Sequence, residues 1–432
     1  MKDKFKIKGL NGKKTLSGKI RVNGAKNAIL KVMASSVLFT DGFKMSNIPD
    51  IEDIKRMGEL LNFLGANIKK IKDKEYIIDS SKIKETDLDR EISEKMRGSI
   101  VLTGPLLARF GEVSFPVPGG CVIGARPIDF FVEGFEKMGA ETEFKNNRYY
   151  IKTKKGKLKG ALIFFKTPSV TATETFMMAG VLAEGKTVLK NVALEPEIKN
   201  LADFLISCGA KIKGAGTSTI EIQGGKLLRG KNKIYKAMPD RIETGSFLIL
   251  GALCADNLEI THCNPEDIEL LIYILKESGV PIEINKDTIK IKGNAKIKNK
   301  DFKGVNIKTK EYPGFPTDLQ APMVMFLTQA TGDSLVFETI FEGRLNFVED
   351  INRMGANILL MDPHRALVKG PTSLRGREVE SPDLRGGLAF IIGGILAKGE
   401  SIIDNVYLID RGYERIEERL RDIGADIERI SD

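Results

Sequence analysis

The sequence predicts an α/β fold built from six similar units that form two globes. A short phrase typical of a helix end followed by a strand recurs six times, at intervals of 69 to 76 residues, around Gly65, Gly139, Gly209, Gly279, Gly355 and Gly424. A second phrase, such as LAEGKTVLKNV or LAKGESIIDNV, recurs about halfway through each unit. Self-similarity at a fixed period is the signature of a repeat architecture.

Each unit is predicted to contain a strand, a buried helix, a second strand, an amphipathic helix and further strand. The N-terminal MKDKFKIKGL alternates charged and apolar residues, as a strand does. An almost wholly apolar helical run then ends at the second phrase. The amphipathic helix follows, as in IKRMGELLNFLG, and its glycine is predicted to stop the helix and lead into a strand.

The apolar helices favour a closed arrangement of the units. A linear solenoid is an alternative, but the most apolar helix of each unit is polar only at its start and must be surrounded. Three units around a central bundle would bury these helices, and six units make two globes with a cleft between them. We expect the first globe at residues 23–238 and the second at residues 1–22 with 239–432. The two chain crossings, near residues 21–23 and 238–241, are expected to act as a hinge.

The length of the chain limits the number of domains, and its net charge limits the kinds of ligand. A chain of 432 residues is too long for one ordinary core, so two or three domains are expected. The net charge of +9 indicates a lysine-coated surface, or else a field that attracts anionic small molecules. Nucleic acid binding is the weakest alternative, because the lysines are dispersed along strand-like alternations without an aromatic and basic stripe.

The sequence also predicts a cytoplasmic protein that binds neither a membrane nor a metal. It carries no signal peptide, and its apolar runs at residues 247–255 and 389–397 are shorter than the roughly 20 residues that span a bilayer. Its four cysteines show no CxxC spacing, which fits a reducing compartment. His262 and Cys263 are adjacent, but no second pair of metal ligands stands near them.

The segment PGGCVIGARP, residues 118–127, is the strongest candidate for chemistry. Cys121 lies among glycines that cannot hold a regular element, and Arg126 follows five residues later. A nearby guanidinium lowers the pKa of a thiol and favours the reactive thiolate. A catalytic thiol is therefore predicted, with an inert loop cysteine as the alternative.

Cations at the starts of the buried helices point to an anionic substrate. They are Lys26, Arg97, Arg241 and Arg385. A cation at the positive end of a helix is unfavourable unless it helps to bind an anion, and helix N-termini already favour phosphate. Structural ion pairs are the alternative. Ordinary helix capping accounts for Ser169, Thr317 and Asp383.

Other catalytic arrangements are absent from the sequence. There is no P-loop and no GxGxxG, and neither His262 nor His364 belongs to a helix-start cluster. General acid and base roles would therefore fall to cysteine, aspartate, glutamate or lysine.

The motifs together closely resemble those of the enolpyruvyl transferases, over essentially the whole chain. They are PGGCVIGARP, NGAKNA, FPTDLQA, TIFEGR, DLRGG and IDRGYERIEERL. The resemblance implies two inside-out α/β prisms of three repeats each, with the active site between them. It also implies transfer of the enolpyruvyl group of phosphoenolpyruvate to the 3′-hydroxyl of UDP-N-acetylglucosamine, with release of phosphate. This is the first committed step of peptidoglycan synthesis, and it needs no cofactor.

The resemblance assigns catalytic roles to three residues. Cys121 is implied to be the general acid that protonates the methylene carbon, and Asp318 the base that takes the proton of the sugar hydroxyl. Lys26 is implied to hold phosphoenolpyruvate and the sugar, together with Asn27.

It also implies a set of substrate contacts. Cationic contacts with phosphate or carboxylate fall to Arg97, Arg126 and Arg411. The uridine diphosphate would be lined by Arg126, Pro127, Ile128, Asp129, Phe130, Ser169 and Val170. The second globe would contribute Ile340, which contacts the sugar, and Arg344, Asp383 and Arg385.

Some positions depart from the family pattern, and other functions stay open. Phe131 stands where the family often has histidine, Thr171 replaces a common glycine, and two bare glycines, Gly386 and Gly387, follow Arg385. The alternatives are the shikimate-pathway enolpyruvyl transferase, which Cys121 disfavours, a non-catalytic sugar-nucleotide sensor, and a basic structural or nucleic-acid-binding protein. No obligate protein partner is evident.

Overall fold

The computed structural model describes residues 3–117, 119 and 128–431. Its contacts divide the chain into two compact units. The first unit consists of the described residues from Gly24 to Met238, and the second of those up to Asn23 and from Pro239 onward. Each unit has its own hydrophobic core.

The chain begins with two strands that belong to the second unit, β1 (Asp3–Lys8) and β2 (Leu16–Arg21). The described residues of the first unit then form helices and strands in this order: α1 (Lys26–Ser35), β3 (Phe43–Ser46), α2 (Glu52–Phe63), β4 (Asn67–Lys72), β5 (Glu75–Asp79), α3 (Arg90–Lys95), α4 (Thr103–Phe110), β6 (Glu112–Pro116), α5 (Asp129–Lys137), β7 (Ala140–Lys145), β8 (Arg148–Thr153), β9 (Leu162–Phe164), α6 (Val170–Leu182), β10 (Lys186–Lys190), α7 (Pro196–Ser207), β11 (Lys211–Lys213), β12 (Thr219–Gln223) and β13 (Ile234–Lys236).

The remainder of the second unit has the same alternation of helices and strands. Its elements are α8 (Arg241–Cys254), β14 (Ala255–Thr261), α9 (Glu269–Glu277), β15 (Ile282–Asn285), β16 (Thr288–Ile291), β17 (Ile307–Lys308), α10 (Gln320–Leu327), β18 (Gly332–Phe337), α11 (Val348–Arg353), β19 (Ile358–Asp362), β20 (Arg365–Gly370), β21 (Glu378–Glu380), α12 (Gly386–Leu396), β22 (Glu400–Asp404), α13 (Tyr407–Asp410), α14 (Ile416–Arg421) and β23 (Asp426–Ser431).

The described residues form six small sheets that repeat one topology. Five have four strands, in the orders β13-β3-β5-β4, β11-β12-β10-β9, β15-β16-β14-β2, β17-β18-β20-β19 and β21-β22-β1-β23. Each of the five contains one parallel pair at an edge, and its other pairs are antiparallel. The sixth, β6-β8-β7, has three strands, and a single parallel bridge between Asp87 and Ser114 stands where the others have an edge strand. The six predicted repeats are therefore present.

The N-terminal segment completes two sheets of the second unit. β1 lies between β22 and β23 and pairs with both in the antiparallel sense. β2 pairs in parallel with β14. Residues at opposite ends of the sequence thus share one sheet.

The most apolar helix of each repeat is buried. In the second unit every residue of α8, α10 and α12 is buried, and the three helices pack against one another. In the first unit α4 and α6 pack together, and α1 contacts the turn that precedes α4. The closed arrangement around central helices is found, and the linear solenoid is not.

The six repeated glycines stop helices, as predicted. All six have positive φ angles, from +86° to +110°. Each follows an amphipathic helix and precedes a strand, namely β4, β7, β11, β15, β19 or β23. Only glycine adopts this left-handed conformation without steric cost, which is why the residue recurs there.

Two buried helices start later than predicted. We expected α-helix from near Arg97 and directly after a cap at Thr317, but residues Arg97–Leu102 and Thr317–Leu319 form 3-10 turns. The α-helices begin at Thr103 and Gln320. Pro105 and Pro322 are each the third residue of these helices, and proline is tolerated only in the first turn, so the α-helix cannot begin earlier.

Within the described residues, we find no helix with the length and apolar character needed to cross a membrane.

Candidate active site

The residues expected to form the site fall into three groups. Cys121, Arg126 and Pro127 lie outside the described residues. The first unit carries Lys26, Asn27, Arg97, Ile128, Asp129, Phe130, Ser169 and Val170, and the second carries Asp318, Ile340, Arg344, Asp383, Arg385 and Arg411.

Lys26 is the first residue of α1 and is buried beside a carboxylate. Its Nζ donates to Asp53 Oδ2 at 2.9 Å, and Asp53 lies in the first turn of α2. This ion pair balances the cation at the start of the helix without a bound anion. The position of Lys26 alone is therefore not a sign of an anion site, although an ammonium has three donors and can also hold a ligand. Asn27 and Arg97 are half-buried.

The start of α5 carries the residues expected next to the nucleotide. Ile128 is buried, Asp129 is exposed and Phe130 is half-buried. Phe131 is buried and stacks on Phe130, with ring centroids 4.6 Å apart. Phe131 therefore packs into the core, and the half-buried Phe130 beside it is the aromatic side chain that a ligand can reach.

The start of α6 offers a helix N-terminus to solvent. Ser169 caps it, with its Oγ accepting from the backbone N–H of Ala172 at 3.4 Å, as capping predicts. Ser169, Val170 and Thr171 are all half-buried. The free backbone N–H groups at such an end favour a phosphate.

A carboxylate between two arginines lies among the expected site residues of the second unit. Arg344 donates to Asp318 Oδ1 at 2.5 Å, and Arg385 Nε lies 3.5 Å from Asp318 Oδ2. The Arg344 and Arg385 side chains are 4 % and 2 % exposed, whereas that of Asp318 is 29 % exposed. Solvent or a ligand can therefore reach the carboxylate, while the protein encloses both cations.

Both arginines stay charged despite their burial. Burial by itself lowers the pKa of Arg344, but the carboxylates of Asp318 and Asp383 outweigh it and the net pKa is raised. The pKa of Arg385 is also raised, against burial, by Tyr413 and by the carboxylates of Asp240 and Asp318. The Arg385 guanidinium lies over the Tyr413 ring, 5.3 Å from its centroid.

Asp383 caps the helix that follows Arg385. Its Oδ1 accepts from the backbone N–H of Arg385 at 2.7 Å and from that of Gly386 at 2.9 Å. A Cβ at Gly387 would lie 2.4 Å from Ser381 Oγ and 2.5 Å from the Ile409 side chain. The bare glycines after Arg385 are thus explained by close packing at the start of α12.

Thr317 does not cap a helix, so that expectation was wrong. Its hydroxyl donates to Glu338 Oε2 at 2.9 Å, and the turn it begins has no side-chain cap. Glu338 is fully buried directly after β18. Its Oε1 accepts from the backbone N–H groups of Ile340 at 2.8 Å and Phe341 at 3.2 Å. Sequence reasoning missed Glu338, although it immediately precedes the TIFEGR motif.

Two further arginines were singled out in the sequence. Arg241 is buried at the start of α8, its guanidinium 5.7 Å from the centroid of the Tyr312 ring, and Asp240 caps that helix. Arg411 lies directly after α13 and is half-buried.

The cysteines that the structure describes are poor nucleophiles. Cys208, Cys254 and Cys263 are all buried. Burial raises the pKa of each thiol, in the case of Cys263 to about 11. They are therefore protonated at neutral pH.

Within the described residues, the Asp318 cluster forms no metal site, and its charged side chains do not line the cavity found in the second unit. Among the described residues, no group of three or more histidine, cysteine or acidic side chains could hold a metal ion. A cavity of about 610 Å³ lies in the second unit, lined by Tyr312, Pro313 and Tyr273 among others. Of the helix-start cations singled out in the sequence, Arg241 lines it, but none of the residues that the resemblance assigns to the substrates does.

Comparison with known proteins places the chain in a family. Residues 10–420 match the model of the EPSP synthase (3-phosphoshikimate 1-carboxyvinyltransferase) family. The UDP-N-acetylglucosamine 1-carboxyvinyltransferase of Acidobacterium capsulatum is 43 % identical, over 99 % of this chain and 96 % of its own length. The protein of the same name from Shewanella halifaxensis is 41 % identical, over 99 % of both chains.

Solved structures share the fold. The enolpyruvyl transferase NikO from Streptomyces tendae superposes with a TM-score of 0.87 over 100 % of this chain and 99 % of its own, at 20 % identity. EPSP synthase from Acinetobacter baumannii gives a TM-score of 0.74 at 20 % identity, over 99 % of this chain and 100 % of its own. The repeats, the fold and the full-length matches agree, and the chain belongs to the enolpyruvyl transferase family.

Proposed function

We propose that this protein transfers the enolpyruvyl group of phosphoenolpyruvate to the 3′-hydroxyl of UDP-N-acetylglucosamine and releases phosphate. The observation that carries the proposal is the partly exposed Asp318 carboxylate held between the buried guanidinium groups of Arg344 and Arg385. The names of relatives at 41 % to 43 % identity over the full chain support the choice of substrates.

The reaction is an addition followed by an elimination. In the addition, the sugar oxygen bonds to C2 of phosphoenolpyruvate, its proton passes to Asp318, and the Cys121 thiol protonates the methylene carbon. In the elimination, the bond from C2 to the phosphate oxygen breaks and inorganic phosphate leaves with the proton held by Asp318. The methyl carbon returns a proton to the Cys121 thiolate, which restores the double bond.

Asp318 suits the role of base for two physical reasons. Two arginines orient the carboxylate, so little reorganisation is needed when it accepts a proton. Its exposure leaves room for a sugar hydroxyl within hydrogen-bond distance. The buried cations can also stabilise the negative charge of an intermediate that carries both phosphate and carboxylate.

The other expected residues are proposed to bind the substrates. Lys26 and Asn27 would hold phosphoenolpyruvate and the sugar, and Ile340 would contact the sugar. Further cationic contacts would come from Arg97, Arg126 and Arg411. The half-buried N-terminus of α6, at Ser169 and Val170, would receive the diphosphate. The uridine would lie against Pro127, Ile128, Asp129 and Phe130. Asp383 supports the site by capping the helix next to Arg385.

Cell-wall synthesis in the cytoplasm is the proposed setting. Peptidoglycan synthesis is the process in which an enolpyruvyl derivative of UDP-N-acetylglucosamine is used, so the protein would contribute to cell shape and division. The absence of CxxC spacing supports a reducing compartment.

Phosphate release tests the proposal. We expect release when the purified protein is mixed with both phosphoenolpyruvate and UDP-N-acetylglucosamine, and none with either alone. Replacing the sugar nucleotide by shikimate 3-phosphate tests the related transferase. Release with shikimate 3-phosphate and none with UDP-N-acetylglucosamine would contradict the proposal.

A further inference from the structure

We infer that Glu338 is a positioning residue that holds the Asp318 turn against the segment from Thr339 to Arg344. It acts through the hydroxyl of Thr317 and does not itself touch a substrate. The inference rests on the proposed function of Asp318 as the base, and it adds to that function the device that sets where the base lies.

One carboxylate joins two segments of the chain. Glu338 Oε1 accepts from the backbone N–H groups of Ile340 and Phe341, so it shapes the segment that carries Ile340. Glu338 Oε2 accepts from the hydroxyl of Thr317, which directly precedes Asp318. Because each oxygen serves a different segment, the carboxylate fixes the distance between them.

The contacts close a ring. The backbone connects Glu338 through Ile340 to Arg344, and the Arg344 side chain binds Asp318. Thr317, next to Asp318 in the chain, closes the ring with its hydrogen bond to Glu338. Around the ring, the hydrogen bond between Glu338 and Ile340 measures 2.8 Å and that between Arg344 and Asp318 measures 2.5 Å. The bond between Thr317 and Glu338 measures 2.9 Å. A displacement of the Asp318 turn must therefore break or stretch at least one charge-assisted hydrogen bond.

Glu338 is itself anchored from the other side. Its backbone N–H donates to the carbonyl oxygen of His364 at 2.7 Å, and its carbonyl oxygen lies 2.8 Å from His364 Nδ1. Thr339 is held in turn, its backbone N–H donating to Thr309 Oγ1 at 2.8 Å. Thr309, Glu338 and His364 lie directly beside the ends of β17, β18 and β20, so the ring is anchored at the edge of the sheet that these strands form.

A fully buried carboxylate destabilises the folded state unless hydrogen bonds compensate for its lost hydration. Glu338 is 0 % exposed, and a buried charge is stabilised only when partners surround it. Three hydrogen bonds to its carboxylate, with the Arg344 cation nearby, meet this requirement. If the position served packing alone, an apolar residue would fill it at a lower free-energy cost. The carboxylate therefore favours a role in positioning the two segments that it joins.

Thr317→Val tests the link, because valine keeps the shape of threonine and removes the hydroxyl. We expect kcat to fall about 10- to 100-fold, since a displacement of about 1 Å at a reacting group has an effect of this size. KM for both substrates should change little, and Thr317→Ser should recover most of the rate. The matched control is Thr372→Val, because Thr372 donates a similar hydrogen bond to Thr328 O at 3.0 Å in the same unit.

A double-mutant cycle shows whether the two residues act together. If Thr317 and Glu338 act through one link, Thr317→Val combined with Glu338→Met, which removes both acceptor oxygens, should be no slower than the slower single variant. A double variant whose decrease in kcat equals the product of the two single decreases would overturn the inference. Glu338→Met alone also serves if Thr317→Val does not fold, because methionine keeps most of the side-chain length and removes both acceptor oxygens, and an unchanged kcat would again overturn the inference.

Hydrogen exchange separates this inference from the proposed function. Exchange in the segment 338–344 should accelerate in Thr317→Val and not in Thr372→Val, whether or not the wild type turns over these substrates. Acceleration with an inactive wild type would reject the proposed function and retain the link. An active wild type, with exchange and kcat both unchanged in Thr317→Val, would reject the link and retain the function.

Discussion

At the scale of single residues, a carboxylate serves as a base only if it is both oriented and accessible. Asp318 meets both conditions, because Arg344 and Arg385 hold it and 29 % of its side chain is exposed. Lys26 is different, since its buried pair with Asp53 explains its position without a ligand. The two residues show that the role of a charged residue at a helix start can be inferred only from the groups that it contacts.

Asp318→Asn should lower kcat by about 10²- to 10⁴-fold, the usual contribution of a general base. The amide is nearly isosteric and should leave binding of UDP-N-acetylglucosamine almost unchanged, because the carboxylate acts mainly in the transition state. Steady-state phosphate release and calorimetric binding measure the two effects. Asp333→Asn, an exposed change in β18, is the control. Wild-type turnover by Asp318→Asn would show that the carboxylate only organises the arginines.

A phosphonate epoxide of the fosfomycin type should label Cys121 and spare Cys208, Cys254 and Cys263. The last three are buried, and burial raises the pKa of their thiols, so little thiolate is present at neutral pH. Peptide mapping by mass spectrometry measures the labelling. Cys121→Asp should resist the epoxide and keep activity, since a carboxylic acid can still donate a proton. Equal labelling of all four cysteines would contradict this account.

At the scale of elements, α1 and α6 share a buried ion pair. Lys31 Nζ of α1 lies 3.1 Å from Glu174 Oε2 of α6, and neither side chain is more than 8 % exposed. Burial raises the pKa of Glu174 from 4.5 to about 7, although Lys31 opposes the rise. The helices that begin with Lys26 and Val170 are therefore joined by a group that titrates near neutral pH.

This pair should make stability depend on pH. Because the folded state raises the pKa of Glu174, its contribution is fully present below pH 4.5 and is lost as pH rises through about 7. The difference in unfolding free energy between wild type and Glu174→Gln should shift by at most about 3 kcal/mol over this range, to the disadvantage of the wild type at the higher pH. Denaturant titrations at several pH values measure it. Glu221→Gln, in an exposed pair with Lys186, is the control, and a pH-independent difference for Glu174→Gln would contradict the prediction.

Two helical glycines should respond oppositely to alanine. Gly387→Ala should destabilise by about 1–3 kcal/mol, since the new Cβ would overlap Ser381 and Ile409 at the start of α12. Gly58→Ala, inside α2, should stabilise by up to about 1 kcal/mol, because the nearest atom to its Cβ is 3.7 Å away and alanine favours helix. Thermal unfolding compares the two variants. A stabilised Gly387→Ala would show that the cap of α12 can shift without cost.

At the scale of the whole molecule, local patterns predicted the repeats well. The six glycines need a left-handed conformation, which depends on neighbours in sequence, and so they mark helix ends directly. The burial of the apolar helices was likewise predictable, because it follows from their own composition. The sixth sheet departs from the others by a single edge strand, which the spacing of the repeats did not reveal.

The site was harder to predict, because its geometry depends on partners distant in sequence. Nothing in the sequence pairs Thr317 with Glu338 or Lys26 with Asp53, since these contacts join separate elements. Capping rules assigned Ser169 and Asp383 well, because a cap bonds to residues two or three positions away. The same rules failed at Thr317, where a competing acceptor, Glu338, comes from the segment that follows β18.

The identity of the product shows whether the enolpyruvyl group reaches the sugar nucleotide. Phosphoenolpyruvate labelled with ¹³C at C2 and C3 is incubated with UDP-N-acetylglucosamine and the wild-type protein, and the products are examined by NMR and mass spectrometry. We predict a vinyl ether whose labelled C2 is joined to the 3′-oxygen of the sugar, formed in equal amount to inorganic phosphate. Unchanged phosphoenolpyruvate, or phosphate released with pyruvate and unmodified UDP-N-acetylglucosamine, would contradict it.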